Sequence, residues 1–249
     1  MAPGGKLRHR KTGGARRYYL AAGMVVIVAA SVIGWYAYLL THSNPEINGT
    51  SSTMGTSKPV ILYVNQGNGA VNVTNFDVMA DCATSHGFNV VFFQIYRQGI
   101  LLFSQQNLQT FVNQAHLKNL RIFFSLWITN SSQHIPSSIY VLGEDGVNLD
   151  MSMLSPTSQQ SLLVSLKADY RGKTAVTTTD MNSTLKPDLL VLETYGISLQ
   201  HLIKHGAILS VGVYKELSQA DYQSQLQYAL QNSDGVMVFD YAGLLKSGY

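Results

Sequence analysis

Beyond Pro59 the chain alternates between two hydrophobic rhythms. Apolar runs of five to eight residues, rich in Val, Ile, Phe and Tyr, recur between amphipathic segments. This is the pattern of strands buried on both faces and joined by crossover helices. It predicts strands at Val60 to Asn65, Asn89 to Ile95, Arg121 to Trp127 and Val147 to Met151. Four more follow at Thr174 to Thr178, Leu189 to Thr194, Ala207 to Val213 and Gly235 to Asp240. Helices are predicted at Thr74 to His86, Ser104 to Lys118, Ser155 to Tyr170, Ser198 to His205 and Ser218 to Asn232. Thr74, Ser104, Ser155 and Ser218 stand where an N-cap belongs, and Pro156 suits a first helical turn.

Eight strands in this alternation favour an α/β fold of the closed (β/α)8 type, with an open doubly wound sheet as the alternative. The barrel has to be lean, because such domains typically run to about 250 residues and this one occupies residues 59–249. Only 19 residues separate Trp127 from Val147, ten separate Thr178 from Leu189, and nine follow Asp240. The third and fifth helices are therefore expected to be short or missing, and the eighth incomplete.

The region before Pro59 has a different pattern. Residues 1–17 hold Lys6, Arg8, Arg10, Lys11, Arg16 and Arg17 with no acid, and no charged residue occurs from Leu20 to Leu40. An apolar stretch of that length spans ~31 Å as a helix, the thickness of a bilayer's hydrocarbon core. Tyr18, Tyr19, Trp35, Tyr36 and Tyr38 suit its two interfaces, and the basic flank belongs on the cytoplasmic side. The expected organisation is a cytoplasmic tail at 1–17, a transmembrane helix at 18–41, a Ser/Thr/Gly/Asn-rich flexible stalk at 42–58 and an extracytoplasmic barrel at 59–249. A cleaved signal peptide is the rival reading, but its apolar core would be only ~7 to 15 residues long.

Charge follows the same division. The chain as a whole carries +3, yet all 14 acids and only 11 of the 17 Lys and Arg lie beyond residue 41, leaving the outer part at −3. No basic stripe with interleaved aromatics is present there, which argues against nucleic-acid binding. Cys82 is the only cysteine, so an intrachain disulfide and a Cys-based zinc site are excluded. The sequons at Asn48, Asn72, Asn130 and Asn182 fit an exported glycoprotein. His201 and His205 are four apart but have no adjacent Glu, and neither a metal nor a cofactor is expected.

The stretch Asp145 to Ser152 reads DGVNLDMS. Val147, Leu149 and Met151 alternate with Asn148, Asp150 and Ser152, so the polar set should line the barrel interior and rise toward its catalytic face. A carboxylate there is costly to desolvate unless it is paired or faces a wet pocket. Glu193 and Tyr195 share one parity at the end of another strand, while Tyr214 and Phe239 put aromatics at two more. Aromatic platforms with a few carboxylates suit sugars, whose rings offer apolar C–H faces and a hydroxyl rim.

These residues resemble the family-18 glycoside hydrolases, the chitinases and their non-catalytic relatives. The fourth strand of that family carries D-G-x-D-x-D-x-E. Here Asp145 and Asp150 match, but Asn148 replaces the middle Asp and Ser152 the final Glu. Ser125 is similar to the family's third-strand Ser, Tyr195 to the Tyr of its sixth-strand motif, Gly212 to Tyr214 to the seventh, and Gly235 to Phe239 to the eighth with Phe for Trp.

In such enzymes the motif Glu protonates the glycosidic oxygen, and the neighbouring Asp orients the 2-acetamido group that serves as internal nucleophile. The resemblance thus implies substrate-binding roles for Asp145, Asn148, Ser152, Tyr195, Tyr214 and Phe239. Ser152 has no pKa fit for a general acid. Asp150 can still hold an acetamide, and Glu193 is the carboxylate placed to share catalysis with it. Glu216 lies where other barrels keep a nucleophile but sits beside Lys215, and Asp240 has the parity opposite to Phe239. Three readings follow: a membrane-anchored protein that binds a glycan or cell-surface polysaccharide, an active glycosidase using Glu193 and Asp150, and a scaffold subunit of an envelope complex that binds no sugar.

Overall fold

The computed structural model describes residues 58–67, 71–141, 143–194, 199, 202–212 and 218–247, all within one unit, Thr56–Tyr249. The tail, the transmembrane span and all of the stalk except Lys58 lie outside the described residues, as do Tyr195, Tyr214 and Glu216. Among the described residues no helix is long and apolar enough to cross a membrane.

Eight parallel strands close into a barrel. They are β1 (Val60–Val64), β2 (Val90–Arg97), β4 (Arg121–Trp127), β5 (Gly146–Asp150), β6 (Lys173–Thr178), β7 (Leu189–Leu192), β8 (Ile208–Gly212) and β9 (Val236–Phe239), with β1 paired to both β2 and β9. A two-residue strand, β3 (Ile100–Leu101), folds back antiparallel on β2; the apolar pattern gave no sign of it. The closed barrel is thus the fold that the strand and helix rhythm called for, and the open sheet is ruled out by the β1–β2 and β1–β9 pairings.

The helices are α1 (Phe76–Ser85), α2 (Gln105–Leu117), α3 (Pro156–Asp169), α4 (Gln219–Asn232) and the short α5 (Tyr241–Ser247). Ser104, Ser155 and Ser218 cap α2, α3 and α4, each hydroxyl accepting the N–H three residues on. Two expectations are corrected. Asn75, not Thr74, is the N-cap of α1, and it makes no side-chain cap bond. Thr74 is tied up in a turn, its N–H and hydroxyl both donating to Asn72 Oδ1. In the region predicted as a helix at 198–205, the described residues are not helical. Lys204 there donates its N–H to Asn232 O and bridges in parallel to Ser233, which draws the backbone into a strand-like path. A single 3-10 turn, Ser137–Val141, stands for the third helix, and no helix joins β6 to β7, as the spacings required.

Two apolar layers fill the fold. One packs the outward faces of the strands against the helices. The other plugs the barrel itself, where Ile61, Val90, Phe92, Phe123, Ala175, Val191, Ile208 and Met237 meet. Gly146 belongs to this plug. A Cβ on it would stand 2.2 Å from Phe123 Cε1 and 2.7 Å from Lys173 O, so the glycine of the motif makes room for the Phe123 ring.

A repeated device ties the strands together at the N-terminal end. A side chain just before one strand accepts a backbone N–H at or near the start of the preceding one: Asn89 from Val60, Asp145 from Ile122, Asp188 from Thr174 and Asp234 from Gly206. Opposite this end, β2 carries an irregularity. Its pairing with β4 runs from Gln94↔Ser125 directly to Tyr96↔Leu126. Ile95 and Tyr96 both pack in the helix layer, and the extra residue turns Arg97 toward the barrel mouth beside Trp127.

Candidate functional site

The plug ends above Tyr63, and a cavity of about 320 Å³ opens over it at the C-terminal end of the strands. Tyr63, Asn65, Gly67, Gln94, Arg97, Trp127, Asp150, Ser152, Met153, Glu193 and Phe239 line it. Predicted residues from three different strand ends therefore meet at one place: Asp150 and Ser152, Glu193, and Phe239.

Its floor is a chain of hydrogen bonds with one direction. Thr177 Oγ1 donates to Asn148 Oδ1 at 3.0 Å, Asn148 Nδ2 to Ser125 Oγ at 2.9 Å, Ser125 Oγ to Tyr63 OH at 3.2 Å, and Tyr63 OH to Asp150 Oδ2 at 2.9 Å. Ser152 Oγ reaches Asp150 Oδ1 from the cavity side at 3.2 Å. Each donor in the series leans toward Asp150, so the chain stabilises negative charge there and each bond polarises the next. Burial nevertheless wins. Asp150 is 6% exposed, and loss of water pushes its carboxyl up, with the Tyr63 and Ser152 bonds only partly offsetting that. Burial also pushes the Tyr63 phenol well up, and the nearby Asp150 charge adds to the rise. The pair is thus one carboxylate gripped by a phenol that stays protonated.

Two sequence assignments change here. Asn148 is fully buried and spends both ends of its amide on Ser125 and Thr177. It supports the floor rather than touching a ligand. Asp145 is at the other end of the strand, where its Oδ2 meets His116 Nε2 at 2.9 Å and accepts the Ile122 N–H at 2.8 Å. It ties strands and does not reach the cavity. Asp240 also stays out of the cavity, as its parity indicated. Its Oδ1 accepts the Gly243 N–H at the start of α5.

Glu193 lies just past β7, half-buried, its N–H donating to Thr178 O at 2.9 Å. Next to it Thr194 is pinned to Ser210 by two hydrogen bonds, which fixes the strand end and keeps Glu193 turned into the cavity. Phe239 packs on Tyr63 with ring centroids 5.1 Å apart. The aromatic wall is completed by Trp127, over which Arg97 Cζ stands 4.9 Å from the ring centroid.

Tyr63, Asn65, Gln94, Arg97, Trp127 and Met153 were not among the predicted site residues. Inward parity on VILYVN would have found Tyr63, since Ile61 and Tyr63 share a face. Arg97 was hidden, because regular alternation from Gln94 points it outward and only the irregularity at Ile95 reverses that. Among the described residues no cluster of His, Cys, Asp or Glu has the makings of a metal site.

No family model matches the sequence, and no curated protein matches it. Likeness appears at the level of structure. A xylanase-A-amylase inhibitor protein, XAIP-III, aligns at 10% identity over 76% of this chain and 95% of its own, with a TM-score of 0.49. The GH18 chitinase ChiB of Flavobacterium johnsoniae aligns at 13% identity over 75% of this chain and 89% of its own, with a TM-score of 0.47. A mutant of the Thermobaculum terrenum O-GlcNAc hydrolase aligns at 9% identity over 78% of this chain and 60% of its own, with a TM-score of 0.50. At such identities the likeness is one of fold, and that fold is the closed (β/α)8 barrel.

Proposed function

We propose that this chain is a membrane-anchored, extracytoplasmic carbohydrate-binding protein whose barrel has kept a sugar pocket and lost the usual general acid. The observation that carries the reading is the arrangement around Asp150. Its buried carboxylate is held from below by Tyr63 and from the cavity side by Ser152, the residue that stands where family-18 enzymes have their acid. With its hydrogen donated to Asp150, the Ser152 oxygen can accept a hydrogen bond from a sugar hydroxyl but does not release a proton near neutral pH. Trp127 and Phe239 offer faces for sugar rings beside it. The hydrolase whose fold the barrel shares acts, by its name, on an N-acetylated sugar, and an acetamide N–H is a donor of the kind Asp150 can accept.

The deciding measurement is calorimetric titration of the full chain in nanodiscs with N-acetylglucosamine oligomers, run beside Asp150→Asn. Saturable binding that weakens at least about tenfold in the variant supports the reading, a charge-assisted hydrogen bond being worth that much. Absence of binding at millimolar oligomer removes it.

A second reading rests on Glu193, which lines the same cavity as Asp150. Two carboxylates facing one pocket are what the common mechanisms of glycoside hydrolysis use. Release of reducing sugar that Glu193→Gln abolishes would establish an enzyme; equal, negligible release from both proteins would leave the pocket as a binding site.

A further inference from the structure

We infer that the pocket is built for an acidic glycan, one of whose carboxylates seats on the guanidinium of Arg97; this rests on the sugar-binding reading above. The irregularity in β2 is what brings Arg97 into the cavity. There the guanidinium lies over the Trp127 ring, 4.9 Å from its centroid. It also lies against Gly67, where an added Cβ would be 2.8 Å from Arg97 Nη1. Packed on both, the fork is held in place before any ligand arrives, so little conformational entropy is lost on binding.

Among the described residues its side-chain N–H groups have no protein acceptor. The ion pairs among the described residues join His116 to Asp145 and Lys118 to Asp77 and Asp81, and Arg97 is in none of them. Asp150 and Glu193 share the cavity with it yet do not pair with it. Around the closed sheet, Glu193 follows β7, four strands from β2, so a ligand anion at Arg97 is kept away from that charge.

A second donor points the same way. Gln94, 3% exposed, is on the cavity lining; its Oε1 accepts the Gln66 N–H at 3.0 Å, which leaves its amide nitrogen as an unpaired donor among the described residues. One side of the pocket therefore offers a fixed guanidinium and an amide N–H₂, a set that matches a carboxylate, while the other side offers acceptors for hydroxyl or acetamide hydrogens. A neutral sugar would leave the guanidinium without its partner.

The test uses the full chain in nanodiscs and three tetrasaccharides. The first is a hyaluronan fragment, in which N-acetylglucosamine alternates with glucuronate; the second is the same fragment with its carboxylates reduced to alcohols; the third is the neutral N-acetylglucosamine tetramer. The hyaluronan fragment should bind at least about tenfold more tightly than its reduced form. That preference should shrink as salt rises and disappear in Arg97→Gln. Arg97→Lys, which keeps the charge but not the fork, should retain only part of it. Unchanged thermal melting of both variants, whose side chain is only half-buried, separates lost recognition from lost folding. Equal binding of the charged and reduced fragments, or a preference that survives Arg97→Gln, overturns the inference while the neutral tetramer still reports a sugar site. Failure of all three sugars overturns the sugar-binding reading itself.

Discussion

At the N-terminal end of the barrel, Asp145, Asp188 and Asp234 each accept a backbone N–H at or near the start of a neighbouring strand, and the space between the strands is filled with Phe92, Phe123 and aliphatic side chains. At the C-terminal end, one carboxylate, Asp150, is sunk below the cavity on a chain of hydroxyls and an amide. Asp145 precedes and Asp150 ends a single five-residue strand, only ~16 Å of extended chain apart. Their surroundings give them different work. Near the rim of the lower end, backbone N–H groups donate to the carboxylates, which serve to tie strands. At the upper end burial opposes charge, and a carboxylate kept there is poised for a ligand.

Removing the plug should separate the two ends most sharply. Phe123→Ala deletes a fully buried ring that packs at a tilt on Phe92 with centroids 5.3 Å apart and covers Gly146. It should cost about 3 to 5 kcal/mol in urea unfolding. Sugar affinity of the fraction that remains folded should be unchanged, because Phe123 does not line the cavity. If affinity falls in step with stability, the two ends are not independent.

The next prediction sets the carboxylates against each other by pH. At Asp188 burial alone would raise the carboxyl, but the backbone and hydroxyl hydrogen bonds from Thr174 and the Lys167 charge outweigh it and hold it low. Its stabilisation is therefore complete above the unfolded carboxylate range and lost as pH falls through the lower folded value. Asp150 is held high, so the sign reverses. The native state binds the proton more tightly than the unfolded chain, and stability falls as pH rises from the ordinary carboxylate value through the raised one, then levels. Asp188→Ala should lose about 1 to 3 kcal/mol at neutral pH, since the buried Thr174 N–H loses its acceptor. It should also lose part of the acid-side decline. Asp150→Asn should gain on the order of 1 kcal/mol at neutral pH and nothing in acid. Unfolding curves from pH 3 to 7 check both signs.

The same contrast explains what could be read from sequence. Strands betray themselves through apolar runs, and all eight barrel strands lie within two residues of their predicted ends: Arg121–Trp127 coincides, and Gly146–Asp150 is shifted by one. Leu189–Leu192 stops short of Thr194 because the Ser210 hydroxyl and carbonyl take over from the ladder at Thr194. Within the site, parity placed Asp150, Ser152, Glu193 and Phe239 on the cavity. Parity failed where it is not the governing rule. The motif placed Asp145 with the site although its parity is opposite to that of Asp150, and parity does not say how far along the barrel axis a residue lies. Nor does it register an extra residue in one strand, so Arg97 was missed. The order of the motif also concealed that Asn148 is saturated by Ser125 and Thr177, since a pairing three strands wide is not written in one strand.

The smallest expected effect concerns Ser152, whose hydroxyl meets Asp150 from the cavity side. Ser152→Ala removes the hydroxyl that donates to Asp150 Oδ1 at 3.2 Å but leaves the backbone N–H of the same residue, which also lowers the Asp150 carboxyl. The hydroxyl is on the cavity side, where solvent can take its place, so stability should fall by only about 0.5 to 1 kcal/mol. The Asp150 carboxyl should shift further upward, because a bond that favours its charged form is gone while burial is unchanged. A carbon-13 titration of the aspartate carboxyls, with Asp150→Asn as the assignment control, reads that shift directly. An Asp150 titration that does not move would mean that Ser152 is merely adjacent to the carboxylate. An upward shift would show that the Ser152 hydroxyl helps to hold the buried Asp150 carboxylate charged.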